Sequence, residues 1–515
     1  MFSFGRISRN SVFYSLAAIA ISNTILQLMG FLYRIFLSRV TGAEGLGVYH
    51  LIMPLNSVLM SITVTGLTVA VSKLSAARSG AGDFSGAKAV VSLSRKIFAL
   101  AIIILAVIFY FNSGLVSDVV LGDRRTEKSL PFLFVCIFLT GIENIYKNYF
   151  YGVNRVLPQI TSELSEQVVR ALSVAALLFT LKPQDPGDAA MLIVLGMVIS
   201  ELFSSSLLTF FYKRERRGLK IPPKSSPKAS EILSIAIPVS GATTVNNLLS
   251  SLNSLLIPRL LVASGVSAKA ATESFGILFG MTMPLLSFPI AFIASLTSVM
   301  VPKISEDMGA GRHTLMRRKA IKTIHATSLL AMPCMAILIP LGGETCRLLF
   351  ANEAAGEHIF FLALATLLSY YELSLVAIMN GLGLQKRAAV FIVIGGIVQI
   401  LGTLSVANPA IRMQGFVIGY LASGAVQTLL TFISLVRYLK IKPRYGNWFV
   451  MPLLASTLAC LLCNIVYNFA ISKGFSNPAS LSVAAVSALL TYGFSLSALG
   501  TNIIKYIKTL IPTKQ

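Results

Sequence analysis

Charge is what this 515-residue chain has least of. Only 12% of its residues are Asp, Glu, Lys or Arg, roughly half the share in an average soluble domain. The acids are scarcest, 20 against 43 Lys and Arg. The four histidines, His50, His313, His325 and His358, are far apart and offer no metal-ligand spacing. The chain has no H-E-x-x-H, no G-x-S-x-G and no Walker lysine motif, so it reads as no enzyme, with no cofactor and no metal. Without a phosphate-binding loop it carries no ATPase of its own, and any driving force must come from an ion gradient, the membrane potential or substrate supply. Cysteines number five, and four lie in apolar segments. Cys460 and Cys463 form a C-x-x-C inside one such segment with no second ligand pair. We read them as small helix-packing residues rather than a redox or zinc site. Short alternating stretches that would signal a β-barrel are also missing.

What the chain has instead is long apolar runs. Hydrophobic residues make up 55% of it. About 14 segments long enough to cross a bilayer are centred near residues 25, 61, 102, 141, 170, 200, 246, 287, 334, 369, 398, 425, 458 and 490, each with the roughly 20 apolar residues a crossing needs. The fold class is therefore an all-α polytopic membrane protein. The first run is too long for a cleavable signal peptide.

A net charge of +23 would suggest nucleic acid in a soluble protein. No RNA- or DNA-binding motif is present, so nucleic acid is not expected as a partner. The positive-inside rule explains the excess instead. With Arg6 and Arg9 inside and sides alternating, inner loops hold about 30 of the 43 basic residues and outer loops about eight. Both termini are then cytoplasmic.

The clearest break is the basic stretch Lys213 to Lys228, KRERRGLKIPPKSSPK. Either it binds anionic lipid or it is a cytoplasmic linker; we read it as the linker. It separates two similar halves. A shift of 220 residues sets Asn23, Gln27, Gly30, Arg34 and Arg39 on Thr243, Asn247, Ser250, Ser254 and Arg259. A shift of 230 then sets Pro54 on Pro284 and Lys73 on Lys303, with VAVSKLSAARSGAG over VMVPKISEDMGAG. Further on, Tyr151-Gly152 falls near Asn380-Gly381. A near-constant offset means duplication of a six-helix unit. Six is even, so the copies are parallel, with a pseudo-twofold along the membrane normal. The expected organisation is an N-lobe over 1–212, a linker over 213–231, a C-lobe over 232–444, and two extra helices with a tail over 445–515.

Ionisable and polar residues inside the segments carry the functional reading. In the first segment Asn23, Gln27, Gly30 and Arg34 recur at three- and four-residue steps and share one helical face. An arginine there is costly against lipid, so the stripe should face a wet cavity. Arg39 and Arg259 sit at matching helix ends; each either snorkels to headgroups or joins the cavity. In the fifth segment Glu163, Glu166 and Arg170 share a face, and Arg170 should pair with Glu166 one turn earlier. Whether that pair is structural or functional stays open at this level. Glu143 and Lys147 have the same spacing. Glu201 and Glu372 stand singly in the sixth and tenth segments; each either binds H⁺ or Na⁺ as a coupling ion or is a neutral hydrogen-bonded acid. Thr243, Asn246, Asn247, Ser250 and Asn253 in the seventh either line the cavity or bond between helices. Pro54, Pro238, Pro284, Pro289 and Pro333 interrupt segments and should bend them.

The stretches GFLYRIFLSRVTGAEGLGVYHLIMPL, GLTVAVSKLSA, SELSEQVVRAL and SVMVPKISEDMG resemble the stage V sporulation protein B family and its polysaccharide-lipid flippase relatives. These form a branch of the multidrug/oligosaccharidyl-lipid/polysaccharide (MOP) exporter superfamily. The resemblance covers essentially the whole chain. It implies two six-helix lobes about a central cavity that opens alternately to each side of a bacterial plasma membrane. It implies an undecaprenyl-pyrophosphate-linked saccharide, lipid II or a relative, as substrate, in peptidoglycan, spore cortex or polysaccharide synthesis. Arg34 matches the arginine expected after Gly30-Phe31. The lipid II flippases it is similar to carry further cavity arginines where this chain has Gln27 and Val58. Arg34, Gln27, Asn23, Arg170, Glu166, Asn247, Asn253 and Arg259 are the expected substrate-cavity residues. The alternatives are a cation-coupled drug exporter of the same superfamily, using Glu201 and Glu372, and a non-transporting scaffold of an envelope-synthesis complex.

Overall fold

The structure is a computed structural model that describes residues 12–216 and 226–500. Arg6, Arg9, the middle of the basic linker and the C-terminal tail lie outside the described residues, and with them the expected cytoplasmic termini. Among the described residues every regular element is helical. The principal helices are α1 (Val12–Met60), α2 (Gly66–Gly80), α3 (Phe84–Phe111), α4 (Leu130–Gly152), α5 (Val156–Leu181), α6 (Pro186–Arg216), α7 (Ala229–Ala263) and α8 (Ala268–Gly276). They are followed by α9 (Ile290–Gly309), α10 (His313–Phe350), α11 (Ile359–Gly381), α12 (Gln385–Leu404), α13 (Met413–Leu439), α14 (Met451–Ser472) and α15 (Asn477–Ala498).

Twelve helices among the described residues are long and apolar enough to cross a membrane, or up to thirteen if the bent pair Ala268–Ser287 and Ile290–Gly309 is one span. That count does not reach the fourteen or so expected from the sequence. Its longest member, Ile21–Gly80, has 60 residues, about 90 Å of helix at 1.5 Å per residue, against a hydrocarbon core of about 30 Å. Its backbone breaks at Gly42 (φ 69°, ψ −179°), a conformation open to glycine and closed to most side chains. We call the stretches on either side the first and second arms of α1. The bend of 51° before α9 has Pro289 at its centre. Proline removes a donor from the helix ladder, while Phe288 before it keeps helical backbone (φ −53°, ψ −43°).

Left-handed and other positive-φ backbone marks the duplication. Gly42, Gly82, Gly122, Asn154 and Lys182 in the first half have counterparts in Gly265, Gly311, Ala351, Gly383 and Arg412, at offsets of 223 to 230 residues. Positive-φ positions thus recur close to where the sequence shift predicts. Two of the pairs close their helices alike: at Gly82 and Gly311, Asp83 N–H donates to Arg78 O and Arg312 N–H to Asp307 O, and at Asn154 and Gly383, Arg155 N–H donates to Phe150 O and Leu384 N–H to Met379 O, the six-to-one bond of a Schellman cap.

The helices pack into two compact units, 1–280 and 281–515. The first places α7 and α8 with α1–α6, so this packing division differs from the division at the basic linker read from the sequence. Its core includes Phe98, Ile102, Tyr146, Tyr149 and Phe150, all essentially buried. In the second unit a seam of Ala455, Ala459, Cys463, Ala484 and Ala488 is fully buried on α14 and α15. Helices in lipid associate by close packing of small residues, since lipid tails are as apolar as leucine. Cys463 is one of those small residues, and all five cysteines are free.

Candidate functional site

Two polar assemblies stand out in the first unit. The first is a pocket of about 230 Å³ between the second arm of α1 and α7, closed at one end by Phe275 of α8 and Phe279 just beyond it. Its polar lining is His50, Ser57, Asn247, Ser250, Ser251 and Ser254. Pro54 leaves the His50 carbonyl without its ladder donor, but the carbonyls that α7 reaches are those of Pro54 and Ser57. Asn247 Nδ2 donates to Ser57 O at 3.1 Å, and Ser251 Oγ to Pro54 O at 3.1 Å. No acidic residue lines the pocket. Arg34, on the first arm, is exposed and lies within electrostatic reach of Tyr49 and His50. Among the described residues Arg34 makes no ion pair. Asn23 and Gln27 are exposed on the same arm, while Gly30 faces Gln167 of α5.

The second assembly is an ion-pair network joining α4, α5 and α6. Arg170 donates through Nη2 to Glu166 Oε1 and, at 3.1 Å, to Glu201 Oε1, and through Nε to Ser200 Oγ at 3.3 Å. Lys147 Nζ meets Glu143 at 2.9 Å, Glu166 at 3.4 Å and Glu163 at 3.7 Å. Ser162 Oγ donates to Glu143 Oε1 at 3.0 Å. Side chains here are buried, Glu143 to 1% exposure, Glu201 to 5% and Lys147 to 11%. Charges removed from water this far persist only when paired. Carboxylate oxygens of Glu143, Glu166 and Glu201 converge within 4.8 Å of one another. Lys147 and Arg170 already supply the positive charge that a metal ion would bring.

The expected site residues therefore part company. Asn247 joins the pocket, with Arg34 in electrostatic reach of its histidine. Glu166, Arg170 and Glu201 belong to the network. Glu201, read from the sequence as a single carboxylate, is bound to Arg170 thirty-one positions away. Asn253 is buried and does not line the pocket. Arg259 is at the loop end of α7, where it donates to Val119 O and borders a separate cavity with Asp123, Arg124, Arg125 and Lys269. Glu372 is in the second unit, half-buried on α11, with no ion pair among the described residues. Sequence reasoning passed over His50, Ser57 and Ser251. No local pattern marked them, because their meeting depends on how α7 packs along the second arm of α1.

A family model described as polysaccharide biosynthesis protein matches residues 13–308. The chain belongs to that family. Among curated relatives, Stage V sporulation protein B of Bacillus subtilis (strain 168) is 26% identical over 475 residues, 90% of this chain and 91% of that protein. Lipid II flippase MurJ of the same organism is 20% identical over 476 residues, 87% of this chain and 85% of that protein. Among solved structures, lipid II flippase MurJ in an inward closed conformation superposes with a TM-score of 0.68 at 15% identity, covering 94% of this chain and 99% of the other. An inward-facing multidrug resistance MATE family transporter of the MOP superfamily gives 0.63 at 15% identity, over 82% and 99%. The fold of this family member is that of the MurJ and MATE transporters.

Proposed function

We propose that this protein is a flippase that moves an undecaprenyl-pyrophosphate-linked saccharide, lipid II or a relative, from the inner to the outer leaflet. The observation that carries the reading is a polar pocket lined by no acid, with Arg34, which has no ion-pair partner among the described residues, in electrostatic reach of its His50. A pyrophosphate-sugar headgroup loses its hydration in hydrocarbon at a cost of many kcal/mol. Hydroxyl, amide and guanidinium donors replace that water with hydrogen bonds, the strongest from arginine to phosphate. The relatives named for sporulation and for lipid II flipping support the substrate class. Arg34 engages the pyrophosphate, and His50, Asn247 and the serines take the saccharide side. Arg170 acts at one remove, because its guanidinium is already shared by two carboxylates; it holds the helices behind the pocket. The halves 1–212 and 232–444 alternate access, with both termini inside. Outward movement of an anion from an inside-negative cell gains about 2.3 kcal/mol per charge per 100 mV, so the potential can drive the step.

A cation-coupled exporter would need acids facing the pocket. Glu372, half-buried and outside any ion pair among the described residues, is the one feature that favours it. The deciding experiment uses proteoliposomes loaded with lipid II and reads outward headgroup exposure. Arg34→Ala should slow flipping about tenfold to a hundredfold, the value of one hydrogen bond to a charged group, with protein insertion unchanged. Undiminished flipping by that variant would remove Arg34 from the mechanism. No lipid II flipping by the parent, with export of an organic cation that is lost in Glu372→Gln, would favour the exporter.

A further inference from the structure

The last part of the chain has an unusual charge pattern. From Leu373 to Gln515 there is no Asp or Glu, yet there are eleven Lys and Arg. Six of those cations gather at one end of the second unit, Lys386 and Arg387 at the start of α12 and Arg437, Lys440, Lys442 and Arg444 at and after the end of α13. Among the described residues of this stretch, only Arg412 and Lys473 mark the other end. The positive-inside rule puts the basic end at the cytoplasmic leaflet.

Three of the six converge on one cavity. A groove of about 740 Å³ between α12 and α13 is bordered by Lys386, Arg387 and Arg437, with Ser434 and Tyr438 beside them. None of the three cations makes an ion pair or a side-chain hydrogen bond among the described residues, and no acid lines the groove. Its walls are Val390, Phe391, Leu430 and Ile433. The cations lie in the first turn of α12 and the last turn of α13, so they share one depth. Val390 is one turn further in, about 6 Å, and Leu430 about 10 Å beyond Arg437. Positive charge at the interface with an apolar channel running inward matches the shape and polarity of one phospholipid.

The occupant is not the chain itself. Each segment outside the described residues, 1–11, 217–225 and 501–515, carries Lys or Arg and no acid. A second copy, at +23, is a poor counter-charge as well. We propose that this groove binds an anionic phospholipid of the cytoplasmic leaflet, its phosphate held by Lys386, Arg387 and Arg437 and an acyl chain lying along Val390, Phe391, Leu430 and Ile433. Basic pockets between membrane helices on the cytoplasmic side suit such headgroups. This inference is independent of the flipping reading.

The test uses full-length protein in a neutral detergent, titrated with phosphatidylglycerol or with phosphatidylcholine of the same chains, and bound lipid read by native mass spectrometry. The parent should hold phosphatidylglycerol at least about tenfold more tightly than phosphatidylcholine. At about a fivefold factor per cation near a membrane surface, the triple variant Lys386→Ser/Arg387→Ser/Arg437→Ser should lose about a hundredfold. Arg412→Ser/Lys473→Ser, at the other end, should lose nothing. Arg387→Lys/Arg437→Lys keeps the charge and should stay within about threefold; it serves with single Arg437→Ser if the triple variant does not fold. Equal binding by parent and triple variant, no preference between the two lipids, or displacement by millimolar inorganic phosphate would each overturn the proposal.

Discussion

Lys147 and Arg170 illustrate what a buried charge does when it is the shared partner of several opposite charges. Lys147 touches three carboxylates and Arg170 two, so removing either cation strands more than one acid. Breaking a buried pair by deleting one partner costs about 3–5 kcal/mol, because the remaining charge stays uncompensated. Lys147→Met should therefore sharply reduce the melting temperature and yield of purified protein. Lys147→Met/Glu143→Gln should recover much of the loss, since the deepest acid is then neutral. Arg34, exposed and outside any ion pair among the described residues, predicts the reverse: Arg34→Ala should leave stability unchanged while transport falls. The i, i+4 pairs Glu143–Lys147 and Glu166–Arg170 were legible because one helical turn brings them together. The bond from Arg170 to Glu201 was not, because it depends on how α5 and α6 cross.

At the scale of elements, α7 is fastened along the second arm of α1 and α2 by a series of contacts. Ser251 and Asn247 donate to backbone carbonyls of Pro54 and Ser57. Ser61 and Thr244 hydroxyls lie 3.1 Å apart. Gly66 N–H donates to Ser240 Oγ at 3.2 Å, and Arg78 pairs with Glu231 at 3.1 Å. Between α1 and α2 the helix widens into a π turn over Ser61–Thr65, a feature common at functional sites. Gly66 sets the spacing: a Cβ there would lie 2.0 Å from the carbonyl oxygen of Ala236, which backbone cannot vacate cheaply. Ser61→Cys/Thr244→Cys should form a disulfide on oxidation, because adjacent hydroxyls imply the short Cβ separation a disulfide needs. Adding Gly66→Val should suppress that crosslink, read by gel mobility after proteolysis between the two cysteines. Full crosslinking with Gly66→Val present would mean that the glycine does not set the helix distance. Asn247 was visible in the sequence as cavity lining or interhelical glue; in the structure it borders the pocket and bonds to α1, and so does Ser251, which the sequence reading passed over.

For the whole molecule, topology and charge make one joint prediction. Lys442 and Lys473 flank opposite ends of α14, and the positive-inside rule predicts the first inside and the second outside. In intact cells a membrane-impermeant thiol reagent should label Lys473→Cys and spare Lys442→Cys. Native cysteines interfere little, being buried or half-buried. Labelling in the opposite pattern would invert the orientation.

Sequence alone determined that the chain is helical and membrane-embedded, since apolar runs of bilayer length leave the backbone no other way to satisfy its polar groups. It pointed to the duplication too, through the near-constant offset that sets Pro54 on Pro284 and Lys73 on Lys303. Only tertiary structure decided which charges meet between helices. Helix crossings bring residues thirty or two hundred positions apart within hydrogen-bond range, and no local periodicity encodes that distance. Packing likewise decided that α7 and α8 belong with the first compact unit, that Arg170 is a strut rather than a free cation, and that a polar pocket opens beside Pro54.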